Sequence, residues 1–185
     1  MALQKQRPVT VVEFERFIGR SENIDRLFEL IDGEIVEKMP TQLHALIANF
    51  FNALLYLYKQ KNPVIWVFSE IRVKLPGDKK NDRIPDLAVV LKEGHEFEPY
   101  APLTYMPDLI IEIQSPGQGD KFMVDKAAYY LRKGARMVWI VYPDRRLVEV
   151  LTPTDRKLLT DVHTLEGGEV LPGFSVPVKD IFEQQ

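Results

Sequence analysis

Arg83-Ile84-Pro85-Asp86-Leu87-Ala88-Val89-Val90 and Pro107-Asp108-Leu109-Ile110-Ile111-Glu112-Ile113-Gln114-Ser115-Pro116 decide how this chain is read. Each is an apolar, β-branched run of strand length bounded by proline, and each carries a carboxylate set into it. Such runs read as strands buried on both faces. A charge there is costly unless it is paired or holds a metal. Period two puts Asp86, Ala88 and Val90 on one face, and Ile110, Glu112 and Gln114 on one face of the second strand. If the strands are neighbours, two acids distant in sequence converge, which is the raw material of a hard-cation site.

Working outward, Thr10 caps a short helix from Val11 to about Ile18, preceded by a lead-in at 1–9 that reads as disordered. Phe28–Ile31 and Ile35-Val36 form a hairpin reversed at Asp32-Gly33. Glu34 follows that turn, where a solvated carboxylate is the plainer reading. Thr41 caps the longest helix, which Pro63 ends; its apolar residues cover more than one stripe, so the helix is expected to pack on two sides. His44 lies in its first turn, where a surface or capping role competes with a site role. Val64–Leu75 alternates as one strand, hairpin partner of the Asp86 strand. Glu70 either shares the side of Asp86 or, the favoured reading, pairs with Arg72 or Lys74 on a wet face.

Ser115-Pro116-Gly117-Gln118-Gly119 breaks the Glu112 strand. Asp120 then caps a helix to about Arg132 with Gly134 at its end, and Met137–Tyr142 is a further buried strand. Strand, helix, strand over about 35 residues is a βαβ unit with parallel strands. Leu147–Leu151 with Lys157–Val162 forms a hairpin, Gly167-Gly168 a turn, and Val178–Phe182 a last turn of helix.

The 185 residues suffice for a single domain, 1–185, and the 45% hydrophobic, 28% charged composition is that of a globular protein. No apolar run nears the ~20 residues of a membrane span, and cysteine is absent, which points to the cytoplasm and away from membranes. A net charge of −3 argues against coating nucleic acid non-specifically. Lys79, Lys80 and Arg83 before the first acid, and Lys121, Lys126, Arg132, Lys133 and Arg136 after the second, are either solvated faces or local phosphate contacts.

The ordered set Glu29-Leu30-Ile31-Asp32-Gly33-Glu34, His44, Pro85-Asp86, Pro107–Glu112 with Ser115-Pro116, then Lys126, Tyr130, Gly134, Trp139 and Pro143, resembles the PD-(D/E)XK nuclease superfamily. More narrowly it looks like the bacterial endonuclease branch of Uma-two type. The resemblance covers nearly the whole chain. It implies an α/β restriction-endonuclease-like core, αβββαβ, with a mixed central sheet flanked by helices and additional N- and C-terminal hairpins. It also implies an endonuclease hydrolysing DNA phosphodiester bonds, with Mg²⁺ or Mn²⁺ held by Asp86, Glu112 and the backbone carbonyl of Ile113. Mg²⁺ suits few carboxylates, several waters and phosphate oxygens.

One position departs from the pattern. Gln114 stands where the signature has lysine, and glutamine can orient a water but supplies no positive charge. The resemblance makes Lys126, on the following helix, the replacement, with Tyr130 either backing it or filling the core. Glu34 is the candidate for the additional acid that the first core helix lacks, and His44 its neighbour against phosphate or water. A homodimer is one way for such an enzyme to reach both strands. The competing reading is a catalytically inactive nuclease-fold module that binds nucleic acid or protein. Two acids kept unpaired in apolar strands favour the enzyme, since an inactive descendant has no reason to keep them; removing such an uncompensated carboxylate leaves stability unchanged or raised, whereas a structural ion pair loses roughly 3–5 kcal/mol.

Overall fold

A computed structural model describes residues 7–183, so most of the lead-in expected to be disordered lies outside the described residues. Two compact units emerge: the chain through Met39 with Arg72–Ile84 and Pro102–Tyr105, and Pro40–Ile71 with Pro85–Ala101 and Met106 onward.

The first unit holds α1 (Val11–Ile18), β1 (Phe28–Ile31) and β2 (Glu34–Glu37). Thr10 and Glu13 form a capping box: Thr10 Oγ1 accepts from the Glu13 N–H at 3.3 Å, and Glu13 Oε2 accepts from the Thr10 N–H at 2.9 Å. Asp32 and Gly33 turn the hairpin at φ 50 and 87, the left-handed pair that two-residue hairpins require. The lead-in is not loose throughout, because the Val9 N–H donates to Gly33 O at 2.8 Å. On the other side of β1, residues 79–84 run alongside, with Leu30 and Asp82 exchanging backbone bonds of 2.9 and 3.0 Å. Val11, Phe14, Phe28 and Leu30 close a small core. Buried Glu29 accepts from the Ile84 N–H at 2.8 Å, so this acid serves the unit's own backbone. Arg83 is also buried and bonds Asn81, which removes it from the phosphate-facing cations considered above.

The second unit contains α2 (Gln42–Lys61), β3 (Ile65–Ser69), β4 (Leu87–Leu91), β5 (Leu109–Ile113), α3 (Asp120–Arg132), β6 (Met137–Tyr142), β7 (Leu147–Leu151), β8 (Arg156–Leu159), β9 (Thr164–Glu166), β10 (Ser175–Pro177) and α4 (Val178–Phe182). A six-stranded mixed sheet runs β3-β4-β5-β6-β7-β8, antiparallel except for the parallel β5–β6 pair. The β7–β8 hairpin therefore extends the main sheet. Period two divides the strands. Leu87, Val89, Leu109, Ile111, Ile113, Trp139 and Val141 pack with Ile47, Phe51 and Leu55 of α2 and with α4. Ile110, Val138 and Ile140 pack with Met123, Ala127 and Tyr130 of α3. Burying both faces explains the nearly unbroken apolar runs.

Three expectations need correction. The long strand over Val64–Leu75 stops at Ser69, because Glu70 adopts φ 49 and gives its N–H to Asp86 O at 3.1 Å. Alternation of side chains continued through Glu70, but the backbone did not. Glu70 is exposed, and neither favoured partner takes it: Arg72 bonds Asp82 at 2.9 Å and Lys74 pairs with Glu15. Nor does Asp120 cap α3. Gly119 holds the cap position and Asp120 is the first helical residue, its carboxylate engaged elsewhere.

Two measurements test the first unit. An added Cβ at Gly33 would sit 2.5 Å from Pro8 Cβ, at φ +87. Gly33→Ala therefore lowers unfolding stability by about 1–3 kcal/mol in urea titration. Asp82 has its carboxyl raised above the usual range by burial, against the lowering effect of Arg72. A raised folded-state value means the associated stability is full below the unfolded carboxylate value and fades as pH climbs through the folded one. Asp82→Asn should flatten that decline in a pH series of thermal midpoints.

Candidate active site

β4 and β5 place the two acids. With Leu87 opposite Ile111 and Ala88 opposite Ile110, Asp86, one residue before β4, falls opposite Glu112. Both are buried, 4% and 2% exposed. Asp86 lies where β4 begins, so its carboxylate reaches across the strand end. Its Oδ2 accepts the Ile113 N–H at 2.7 Å and lies 3.0 Å from His44 Nε2. Thr41, the N-cap of α2, sets His44 in the first turn, where it is 6% exposed. Because Nε2 faces a carboxylate it carries a proton, and Nδ1 is buried without a hydrogen-bond partner.

Glu112 is held from the other layer. Lys126 and Tyr130 stand one turn apart on α3, hence on one face. Lys126 Nζ donates to Glu112 Oε2 at 2.9 Å and Tyr130 Oη to Oε1 at 2.6 Å. Lys126 is only 3% exposed, so the solvated helical lysine of the plainer reading is replaced by a buried ammonium on a buried carboxylate. Tyr130 serves both alternatives, since its ring is core and its hydroxyl is at the acid.

These bonds correct the expectation of unpaired acids. Asp86 is met by a backbone N–H and a helix histidine, and Glu112 by two side chains of α3. A carboxylate has about four lone-pair positions, so donors and a cation can share it.

Gln114 extends the ladder past β5 by giving its N–H to Val141 O at 2.9 Å. Its side chain turns along the breaker loop, donating to Gln118 O at 2.8 Å and Asp120 Oδ1 at 3.2 Å. Arg145 grips the same Asp120 in a fork, 2.8 and 2.7 Å, while stacking 4.2 Å above the Tyr142 ring. The Arg145 hydrogen bond holds the Asp120 carboxyl below the usual carboxylate range, with Gln114 adding to it. Gln114 thus anchors the turn between β5 and α3. A cleft of about 70 Å³ opens beside it, lined by Thr41, His44, Gln114, Gly117, Pro143 and Asp144 among others. Ile113 enters through its N–H on Asp86. Glu34 is exposed at the start of β2 and belongs to the first unit.

One buried acid escaped the sequence reading. Glu149, 1% exposed, lies opposite Ile140, itself opposite Glu112, so the three occupy one row of one face. Tyr142 donates to Glu149 at 2.9 Å and Arg156 pairs with it; burial, then the bond to Glu149, raises the Tyr142 hydroxyl. The signal was present, because Leu147-Val148-Glu149-Val150-Leu151 sets an acid in an apolar run just as the β5 segment does.

The arrangement offers hard oxygen donors from adjacent strands, a buried ammonium and a histidine locked by a carboxylate. Among the described residues no group of three or more His, Cys, Asp or Glu is placed to hold a metal ion. A two-carboxylate site completed by a carbonyl, water and phosphate oxygen is not of that kind, and the Asp86/Glu112 donor set fits Mg²⁺ rather than a softer metal.

Sheet, flanking helices and this acid–lysine grouping define a restriction-endonuclease-like α/β fold. The chain belongs to the Uma2 family, described as "Putative restriction endonuclease", whose model matches residues 11–179. It is similar to a crystal structure of "a putative nuclease belonging to DUF820" from Anabaena variabilis ATCC 29413. That likeness has 23% identity, covers 96% of this chain and 99% of that one, and has a TM-score of 0.81. Agreement at this identity speaks for the fold. No curated protein matches the sequence. Family and fold together support a nuclease-type role, and no helix among the described residues is long and apolar enough to cross a membrane.

Lys126→Met should lower unfolding stability by about 3–5 kcal/mol, since it leaves Glu112 buried without its cation. Tyr130→Phe should cost about 1–3 kcal/mol, the range for a hydrogen bond to a charged group. A double-mutant cycle by denaturant titration reads both, and additivity of the two would rule out a shared carboxylate.

Proposed function

We propose that the protein is a metal-dependent endonuclease that hydrolyses DNA phosphodiester bonds at the Asp86–Glu112–Lys126 grouping. The observation that carries this reading is the buried Lys126 ammonium, delivered from α3 to within 2.9 Å of Glu112, in a chain that has Gln114 where a strand lysine would stand. A buried cation on a buried acid has a use in chemistry on a phosphodiester, whose charge rises as the bond to the attacking oxygen forms.

Asp86 and Glu112 would hold Mg²⁺ or Mn²⁺, with the Ile113 carbonyl as a third donor. When bound, such an ion lowers the pKa of water and neutralises charge on the phosphate. The residues themselves divide the remaining work. Lys126 positions the attacking water and offsets phosphate charge. Tyr130 fixes the Glu112 carboxylate, so that Lys126 keeps one geometry. His44 and the Ile113 N–H hold Asp86 in the same way. Water attacks phosphorus in line with the departing sugar oxygen and releases a proton to solvent, the P–O bond to that sugar breaks, and the departing oxygen takes a proton from solvent. Gln114 acts indirectly, through the loop beside the cleft.

The alternative, an inactive nuclease-fold module, draws on the engagement of the Gln114 amide with Gln118 and Asp120. Titration calorimetry with Mn²⁺ or Mg²⁺ and nicking of supercoiled plasmid separate the two. The wild type should bind a divalent ion saturably and nick DNA. Asp86→Asn should lose both, and Lys126→Met should retain binding while nicking falls by about 10²–10⁴-fold. Absence of ion binding in a folded wild type would leave the module.

A further inference from the structure

The N-terminus of α2 borders the cleft beside Gln114, and the chain leaves it unanswered. A helix of 20 residues gathers partial positive charge at that end, where its first N–H groups have no partner inside the helix. Thr41 meets one of them, its Oγ1 accepting the His44 N–H at 3.3 Å. The N–H groups of Gln42 and Leu43 find no acceptor among the described residues. α1 and α3 each carry an acid in the first turn, Glu13 and Asp120, whereas α2 carries none. A second group points the same way. His44, 6% exposed, borders this cleft, and with Nε2 on Asp86 its Nδ1 is left buried and without a partner. Such an orphaned polar atom is costly, and the cost is met when a ligand and a water fill the cleft. Ser115 and Gln118 add a hydroxyl and an amide to the lining.

We propose that this cleft seats one phosphodiester group of a nucleic-acid strand, held by the Gln42 and Leu43 N–H groups, with a water bridging it to His44 Nδ1. Size selects the ligand. The volume of about 70 Å³ lies far below the ~300 Å³ where pockets for whole small molecules begin, so a base or nucleoside is excluded. A single tetrahedral anion and a water fit. Negative charge is what a helix N-terminus favours. Asp144 is the one acidic residue in the lining and is exposed, so it weakens the binding of an anion without occupying its place. Nε2 is taken by Asp86, so whatever reaches Nδ1 stands across the imidazole ring from that acid and is not the group attacked. On the reading that the protein cuts DNA at Asp86 and Glu112, the seated group is a linkage beside the one cut. It then sets the register of the strand on the two acids, as phosphate contacts do. Only that last step rests on the nuclease reading; the seat itself does not.

Dimethyl phosphate, a phosphodiester without base or sugar, tests the seat independently of any cutting. In amide NMR spectra the Gln42 and Leu43 signals should shift saturably in the millimolar range. Gln42→Glu places an anion of the chain's own at the helix end and should weaken that binding about three- to tenfold while the thermal midpoint holds or rises. Gln42→Pro deletes one N–H at the first helical position, where proline is tolerated and the extended Thr41 (φ −88, ψ 170) suits it; it should weaken binding with the fold intact. Asp144→Asn should tighten it. Gln42 and Leu43 amides that stay unmoved at high dimethyl phosphate overturn the proposal, as does binding that Gln42→Glu leaves unchanged. A wild type that shows the shifts yet nicks no DNA keeps the seat and removes the cutting, whereas one that nicks DNA without the shifts does the reverse.

Discussion

The cost of placing Glu112 at the middle of an apolar sheet organises the second unit. A carboxylate taken from water loses several kcal/mol of solvation unless donors replace it. Here α3 supplies them from one face, Lys126 and Tyr130 at helical spacing. That requirement sets the rotation of α3 on the sheet, because any other face would bring Met123 or Ala127 to the acid and leave the charge unanswered. The same constraint acts on Asp86 with different means: a backbone N–H of β5 and the first-turn histidine of α2. Two helices from opposite layers are thereby tied to neighbouring positions on adjacent strands.

Such an arrangement is unusual for stability alone. A buried ion pair is commonly no better than well-packed apolar residues of the same volume. Three buried acids, Asp86, Glu112 and Glu149, lie at one end of the sheet's strands, and two are served by tyrosines. Each of those two also has a cation, Lys126 on Glu112 and Arg156 on Glu149, and the tyrosine adds a donor without adding charge. Glu112 therefore takes its cation from a helix inside the protein, whereas Glu149 takes its own from an exposed strand residue.

Alternation of residue type proved a good guide wherever the backbone stayed extended, and failed where the backbone turned. Ile65–Ser69 and Ile71–Leu75 share one uninterrupted pattern, yet Glu70 breaks the strand with a left-handed conformation that glutamate rarely adopts. Nothing in the residue types marks that turn, which is imposed by contacts made after the chain folds, among them the bond from the Glu70 N–H to Asp86 O. Asp120 failed as a cap for a related reason. Aspartate favours N-caps, but a forked arginine twenty-five residues onward offers a charged partner, and the glycine before it needs no side chain to begin a helix.

The linear order of residues was enough to determine both capped N-terminal helices, the Asp32-Gly33 hairpin, the βαβ unit and the two acid-bearing strands, since each depends on short-range periodicity, capping or turn chemistry. The family pattern was also legible in the ordered set of residues from Glu29 to Pro143. Tertiary structure alone decided the partners. That Lys126 is buried on Glu112, that Tyr130 shares that acid, that His44 locks Asp86, and that Gln114 turns to the loop are all contacts between segments far apart in the chain. Their geometry is set by strand register and helix rotation, and neither is written in any local stretch of sequence.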